Sequence, residues 1–118
     1  MQRNLQNLCS QIISIEGVRF CAIRDYSGNT LAGGQKPSIP RIESDEERAQ
    51  SAVRTGMISA MLESMPASFG KAREMSVEFE KITLLVIPFD QDRIVQVTME
   101  PNAVNVKERV RAIISDKT

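Results

Sequence analysis

Residues 82–87 constrain the fold more than any other part of this sequence. They are apolar at every position but Thr83, and they follow a segment, residues 74–80, in which apolar and polar residues alternate. Side chains of a strand point alternately to its two faces, so an alternating strand has one wet face and a continuously apolar strand is covered on both. We therefore predict a sheet whose inner part carries other structure on both faces.

The first third of the chain predicts a helix followed by a hairpin. Apolar residues recur at helical spacing over residues 5–13, and the helix ends at Gly17. Residues 18–23 are β-rich, the turn residues 25–29 follow, and residues 30–32 resume an extended run. Glycines and prolines over residues 33–40 indicate an irregular loop.

The remaining segments predict a second helix, three strands and a closing helix. Ser44 followed by Glu47 is a capping box, so this helix spans residues 45–64, and Pro66 stops it. Strands at residues 74–80, 82–87 and 94–99 precede a helix that begins near Val106. The predicted order is α-β-β-α-β-β-β-α, an α/β (α+β) chain that forms a single domain over residues 1–118.

Composition excludes several classes of protein. The 118 residues hold 15 Lys plus Arg and 15 Asp plus Glu, a formal net charge of zero. Nucleic-acid binders and polybasic membrane anchors need a basic excess, so we expect neither kind of partner. The first residues lack the apolar core of a signal peptide, and the longest apolar run, residues 84–87, is too short to cross a bilayer. The expected location is cytoplasmic.

No residue pattern predicts catalysis. The chain has no histidine, which removes the usual general base and the commonest zinc ligand. Cys9 and Cys21 lie in apolar stretches and are expected to be buried core residues. Acidic residues at positions 43–47 and 74–80 are accounted for by a helix start and a wet strand face. We predict no catalytic, cofactor-binding or metal-binding residues and no enzyme activity.

Two segments carry apolar side chains beyond the needs of one core. The second helix has one stripe that contains Val53, Met57 and Met61 and another that contains Ile58 and Leu62. A single wide stripe packed on the protein's own sheet is the alternative interpretation.

The strand over residues 74–80 alternates as an edge strand does, and a free edge offers backbone hydrogen-bonding groups to another strand. Glutamates that blunt this edge are the alternative. We predict a homodimer that joins these edge strands and sets the two second helices side by side. Its predicted interface residues are Val53, Met57, Ile58, Met61, Leu62, Met75, Val77 and Phe79.

The element order resembles the roadblock/LC7 (dynein light chain-like) superfamily, which has profilin-like topology. Residues 15–18, residues 25–28 with Leu31, and the whole-chain order carry this resemblance. It implies a five-stranded antiparallel sheet with helices on both faces, and dimers that extend the sheet and pair the second helices. It also implies a scaffold or a regulator of small Ras-like GTPases. The loop over residues 35–43 is longer than the usual link in that superfamily.

A narrower resemblance is to a family of uncharacterised archaeal proteins. Four motifs carry it, namely Arg19-Phe20, residues 31–34, residues 46–48 and residues 100–103. The predicted function is a non-enzymatic protein-interaction module, with itself and another protein as partners. The alternative is a ligand-sensing domain of the PAS, GAF or profilin kind, whose site would be an apolar concavity edged by a few polar groups.

Overall fold

The computed structural model describes residues 4–115, and these form three α-helices and five β-strands in the predicted order. Their bounds are α1 (Leu5–Ile13), β1 (Val18–Asp25), β2 (Thr30–Gln35), α2 (Asp45–Glu63), β3 (Met75–Glu78), β4 (Thr83–Pro88), β5 (Arg93–Met99) and α3 (Val106–Ser115). A short 3-10 turn, Ala67–Phe69, which the sequence patterns did not predict, lies between α2 and β3.

All strands pair antiparallel in one sheet, in the order β2-β1-β5-β4-β3. β2 and β3 are therefore its edges, as predicted for β3. The inner strand β4 is buried along most of its length, and helices lie on both faces of the sheet.

The main hydrophobic core lies between one face of the sheet and the helices α1 and α3. We call this face the core face. It contributes alternate residues of β1, β4 and β5, such as Ile23, Leu85 and Val95, which pack with residues such as Ile12 of α1 and Val110 of α3. Successive side chains of a strand point to opposite faces of the sheet, so only every second residue of each strand reaches this core.

Cys9 and Cys21 both lie in this core, fully buried and as free thiols. The hydrogen bond with Cys9 and the burial of the side chain raise the pKa of the Cys21 thiol. The prediction that both cysteines are buried core residues is confirmed. Within residues 4–115, no helix is both long enough and apolar enough to span a membrane.

The opposite face of the sheet, which we call the α2 face, carries the helix α2. This helix begins with the predicted capping box: Ser44 Oγ accepts from the Glu47 N–H at 3.1 Å, and Glu47 Oε1 accepts from the Ser44 N–H at 2.9 Å. The helix approaches the β1–β2 turn so closely that a Cβ on Gly56 would lie 2.2 Å from the Tyr26 carbonyl oxygen. α2 therefore sits over the hairpin end of the sheet.

The second strand extends further than predicted. Gly33 and Gly34 were expected to open an irregular loop, but both belong to β2. A Cβ on Gly33 would lie 2.8 Å from the Cys21 carbonyl oxygen and 3.1 Å from the Ala22 Cα. Glycine is present at this position because β1 packs too closely for a side chain, and not because the chain turns there.

Candidate interaction surface

Helix α2 buries its small residues and exposes its large apolar ones. The buried face consists of Ala52, Thr55, Gly56 and Ser59, whose spacing of three and four residues places them on one side of the helix. Met57 is 61% exposed and Met61 is 63% exposed, and Val53 and Ile58 are exposed as well. The alternative of one wide stripe packed on the protein's own sheet is therefore wrong for these side chains.

Strand β3 presents a second set of exposed apolar side chains. Met75 pairs with Val86 and Val77 with Leu84, so both lie on the α2 face of the sheet. Met75 is half-buried and Val77 is 36% exposed. Phe79, just after the strand, is exposed too, and its N–H donates to the Ile82 carbonyl at 2.8 Å.

The backbone of β3 has free hydrogen-bonding groups at the sheet edge. Hydrogen-bonded and non-hydrogen-bonded pairs alternate along an antiparallel ladder. The hydrogen bond from Phe79 to Ile82 sets this alternation. The backbone groups of Val77 and Met75 therefore also point toward β4. The N–H and C=O groups of Ser76 and Glu78 therefore point away from β4, toward the position of a further strand.

A groove with a volume of about 470 Å³ separates α2 from the β3 side of the sheet. Its helix wall includes Ser51 and Arg54, and its sheet wall includes Leu84, Thr98 and Phe79. α2 covers the β1 side of the sheet and leaves this strip of the α2 face open. The groove thus runs between the exposed side of the helix and the exposed edge strand.

Arginines organise the end of the groove near the start of α2. Two guanidinium groups lie over the Phe20 ring, that of Arg48 at 4.1 Å and that of Arg24 at 5.6 Å from its centroid. Arg24 is buried, and it donates to Thr30 Oγ1 at 3.1 Å and to Gln96 Oε1. Burial and then the neighbouring Arg48 lower the pKa of Arg24.

The long loop before α2 is tied to this arginine cluster. Arg19 donates to the Pro40 carbonyl at 2.8 Å and to Glu100 at 2.6 Å. Arg48 pairs with Glu43 and donates to Gln35 Oε1 at 2.9 Å. The loop is therefore fastened to β1 through Pro40 and to α2 through Gln35 and Glu43. The sequence patterns showed no sign of this network, because its members are far apart along the chain.

The structure divides the predicted interface residues between two sides of α2. Ile58 and Leu62 follow Ser51 and Arg54 at helical spacing, so they lie toward the groove; we call them the groove flank. Phe79 lines the groove on its sheet side, and Met75 and Val77 lie on the same face of the sheet along β3. Val53 lies on the other side of α2, which we call the hairpin flank, and Met57 lies on the outer side between the two flanks.

The hairpin flank faces the opposite edge of the sheet. The backbone of Val53 would contact a Cβ on Gly28, which lies in the β1–β2 turn with φ of +93°. Met61 lies between the two flanks. The sequence patterns missed this division, although the spacing of Ala52, Gly56 and Ser59 was a usable sign of the buried side. The interface residues themselves stay a prediction.

Among residues 4–115, no group of three or more Cys, Asp or Glu side chains is placed to hold a metal ion. The α2 face offers large exposed apolar side chains, the edge of β3, and arginines of which Arg19 and Arg48 are paired within the chain.

No family model matches the sequence, and no curated protein matches it. Solved structures do match the fold. A roadblock/LC7 domain from Streptomyces avermitilis superposes with a TM-score of 0.73 at 13% identity, over 95% of this chain and 92% of that one. The gliding protein MglB from Thermus thermophilus gives 0.76 at 14% identity, over 98% and 89%. MglC from Myxococcus xanthus gives 0.70 at 16% identity, over 93% and 92%.

These identities are too low to transfer a function, and what the proteins share is the arrangement of the chain. The narrower resemblance to archaeal proteins stays a prediction. The superpositions cover 93% to 98% of this chain. The sequence resemblance is thus confirmed at the level of structure, and the chain has the fold of roadblock/LC7 domains.

Proposed function

We propose that this chain is a non-enzymatic protein-interaction module that forms a homodimer through β3 and the groove flank of α2. The observation that supports this most is the reversed burial of α2, whose small residues pack on the sheet while large apolar ones, including Ile58 of the groove flank, stay exposed. Exposed apolar patches of this kind mark protein contacts. A second copy would extend the sheet at β3 and lay its own α2 along the groove.

The solved structures with this fold support the proposal that the chain functions as an oligomer. One solved MglB structure with a TM-score of 0.79 to this chain is described as having a tetrameric arrangement. The free, buried cysteines fit a reducing compartment, so we place the module in the cytoplasm.

The finer proposal is that a small Ras-like GTPase is the second partner, as the resemblance to roadblock/LC7 implies. The hairpin flank, with Val53, lies on the side of α2 away from β3, so it would stay accessible in the dimer. Isothermal titration with a purified small Ras-like GTPase, loaded with GDP or with a GTP analogue, tests this. The absence of binding heat for both forms counts against the GTPase and leaves the dimer proposal standing.

A second candidate, a ligand-sensing domain, is favoured by the groove volume of about 470 Å³, which lies within the usual range for small-molecule sites. The charged side chains on its wall, Arg19, Glu43 and Glu47, already have partners within the chain, which leaves few polar groups to orient a ligand. Native mass spectrometry of the purified protein separates the two, because a retained small molecule favours the sensor.

Val77→Glu tests the dimer proposal. Val77 is exposed in one protomer, so a glutamate there leaves the fold intact but puts a charge into the proposed interface. Equilibrium sedimentation at micromolar concentration should give about twice the 13.2 kDa chain mass for the wild type and the single mass for the variant.

Val104→Glu is the matched control, because Val104 is 79% exposed and lies in the segment between β5 and α3. It should sediment as the wild type does. Circular dichroism should be unchanged in both variants. A wild type that sediments as a monomer, or a Val77→Glu variant that stays dimeric, would rule the proposed interface out.

A further inference from the structure

The edge strand β2 carries outward-facing backbone groups, as β3 does. Lys36 donates its N–H to the Arg19 carbonyl at 2.9 Å, which fixes Arg19 and Lys36 as a hydrogen-bonded pair. Hydrogen-bonded pairs alternate along the ladder, so the next such pairs are Cys21 with Gly34 and Ile23 with Ala32, and Gly33 falls between these two. The N–H and C=O groups of Gly33 therefore point away from β1, where another strand could add.

The side-chain amide of Gln6, in helix α1, is hydrogen-bonded to both of these Gly33 backbone groups. Gln6 Oε1 accepts from the Gly33 N–H at 3.2 Å, and Gln6 Nε2 donates to the Gly33 carbonyl at 3.3 Å. A carboxamide carries an acceptor oxygen and a donor NH2 group side by side, and a paired strand presents one acceptor and one donor to a residue at this position. The Gln6 side chain thus takes the place of a neighbouring strand's peptide group.

We propose that Gln6 is an edge cap that closes β2 to strand addition, so that the sheet can be extended at the β3 edge alone. Unpaired edges invite pairing with other chains, and proteins protect them with covering elements or charged side chains. At the other end of the sheet, the outward backbone groups of β3 belong to the exposed residues Ser76 and Glu78. This inference does not rest on the proposed dimer, since the cap is a property of one protomer.

Gln6→Ala tests the cap at the level of a single hydrogen bond. Alanine is the best helix former, and Gln6 is exposed, so α1 stays folded. Amide hydrogen exchange by NMR should show the Gly33 N–H exchanging about five-fold faster in the variant, which is the effect of losing one hydrogen bond of ordinary net strength. Asn7→Ala, an exposed amide residue one position further along α1, is the matched control and should leave Gly33 exchange unchanged.

Sedimentation velocity over a concentration series then tests the function of the cap. The Gln6→Ala variant should show species heavier than any in the wild type, whatever the wild-type mass is, and the Asn7→Ala variant should not. Adding Leu31→Lys, a charge on β2, should remove those heavier species, because lysines on an edge strand oppose pairing.

Three results would overturn the proposal. These are unchanged Gly33 exchange in Gln6→Ala, faster exchange with a mass distribution like that of the wild type, and heavier species that persist when Leu31→Lys is added. A monomeric wild type whose Gln6→Ala variant associates would refute the β3 dimer and still support the cap.

Discussion

Gly56 sets the distance between α2 and the sheet. It is buried in the middle of the helix, and a Cβ at this position would meet the Tyr26 carbonyl oxygen at 2.2 Å and its carbonyl carbon at 2.8 Å. Glycine in a helix interior costs stability relative to alanine, so its presence here needs a packing reason. The close approach to backbone atoms, which cannot rotate away, provides that reason.

We expect Gly56→Ala to lower the free energy of unfolding by about 1–3 kcal/mol, in spite of alanine's better helix propensity, because α2 must move away from the turn. Urea denaturation followed by circular dichroism measures it. Gly34→Ala is the matched control, since its Cβ would meet only the flexible end of the Ile13 side chain, at 3.4 Å. Equal effects of the two substitutions would contradict this account of the packing.

The Tyr26 side chain lies at the same contact between α2 and the β1–β2 turn. It is the only tyrosine in the chain, and its hydroxyl donates to Glu63 Oε1 at 2.5 Å. Burial first, and then the hydrogen bond to the Glu63 carboxylate, raise the pKa of Tyr26 from 10.0 to about 12.

An absorbance titration should therefore give a phenol midpoint near pH 12 for the folded protein. The folded chain keeps this proton over a range in which the unfolded chain has lost it, so the stability contributed by Tyr26 falls as the pH rises from 10.0 to about 12. Glu63→Gln should lower the midpoint without restoring it to 10.0, because burial remains. Glu46→Gln, at the exposed start of α2, is the control, and a wild-type midpoint at 10.0 would contradict the contact.

At the scale of elements, the free edge of β3 gives the clearest prediction. The Ser76 N–H points away from β4, so a proline at this position removes a hydrogen bond to an added strand and none within the protomer. We expect Ser76→Pro to abolish the proposed dimer with little change in circular dichroism. Equilibrium sedimentation measures the mass, and Ser76→Ala, which keeps the N–H, should behave as the wild type. A dimeric Ser76→Pro variant would show that the strands do not pair.

The elements themselves were largely predictable from local patterns. The capping box at Ser44 fixed the start of α2, and the alternation at residues 74–80 fixed β3 as an edge strand with one exposed face. The extension of β2 through Gly33 was not predictable, because glycine pairs usually mark turns and the reason for them here is the proximity of β1. The surplus of large apolar residues on α2 was recognised from the sequence, and Met57, Ile58 and Met61 are exposed; that Thr55 and Ser59 take the buried side was missed, because polar residues rarely form the buried face of a helix.

At the scale of the whole molecule, the two edges of the sheet differ in a way that no local pattern shows. Gln6 and Gly33 are 27 positions apart, and only the packing of α1 beside β2 brings them together. The same is true of the contact between Phe20 and Arg48, which joins β1 to α2. Sequence patterns indicated which apolar residues the α2 face carries. Its division into a groove flank and a hairpin flank follows only from how α2 packs on the sheet.

The small buried face of α2 affects how firmly that helix is held. Ala52, Thr55, Gly56 and Ser59 remove little apolar area from water when they pack, and the hydrophobic contribution to docking scales with that area. In a lone protomer, α2 is thus the layer attached with the least hydrophobic free energy. A second copy that covered Ile58 and Leu62 would add buried apolar area to this layer. The docking of α2 and the association of two copies would then be a single cooperative event.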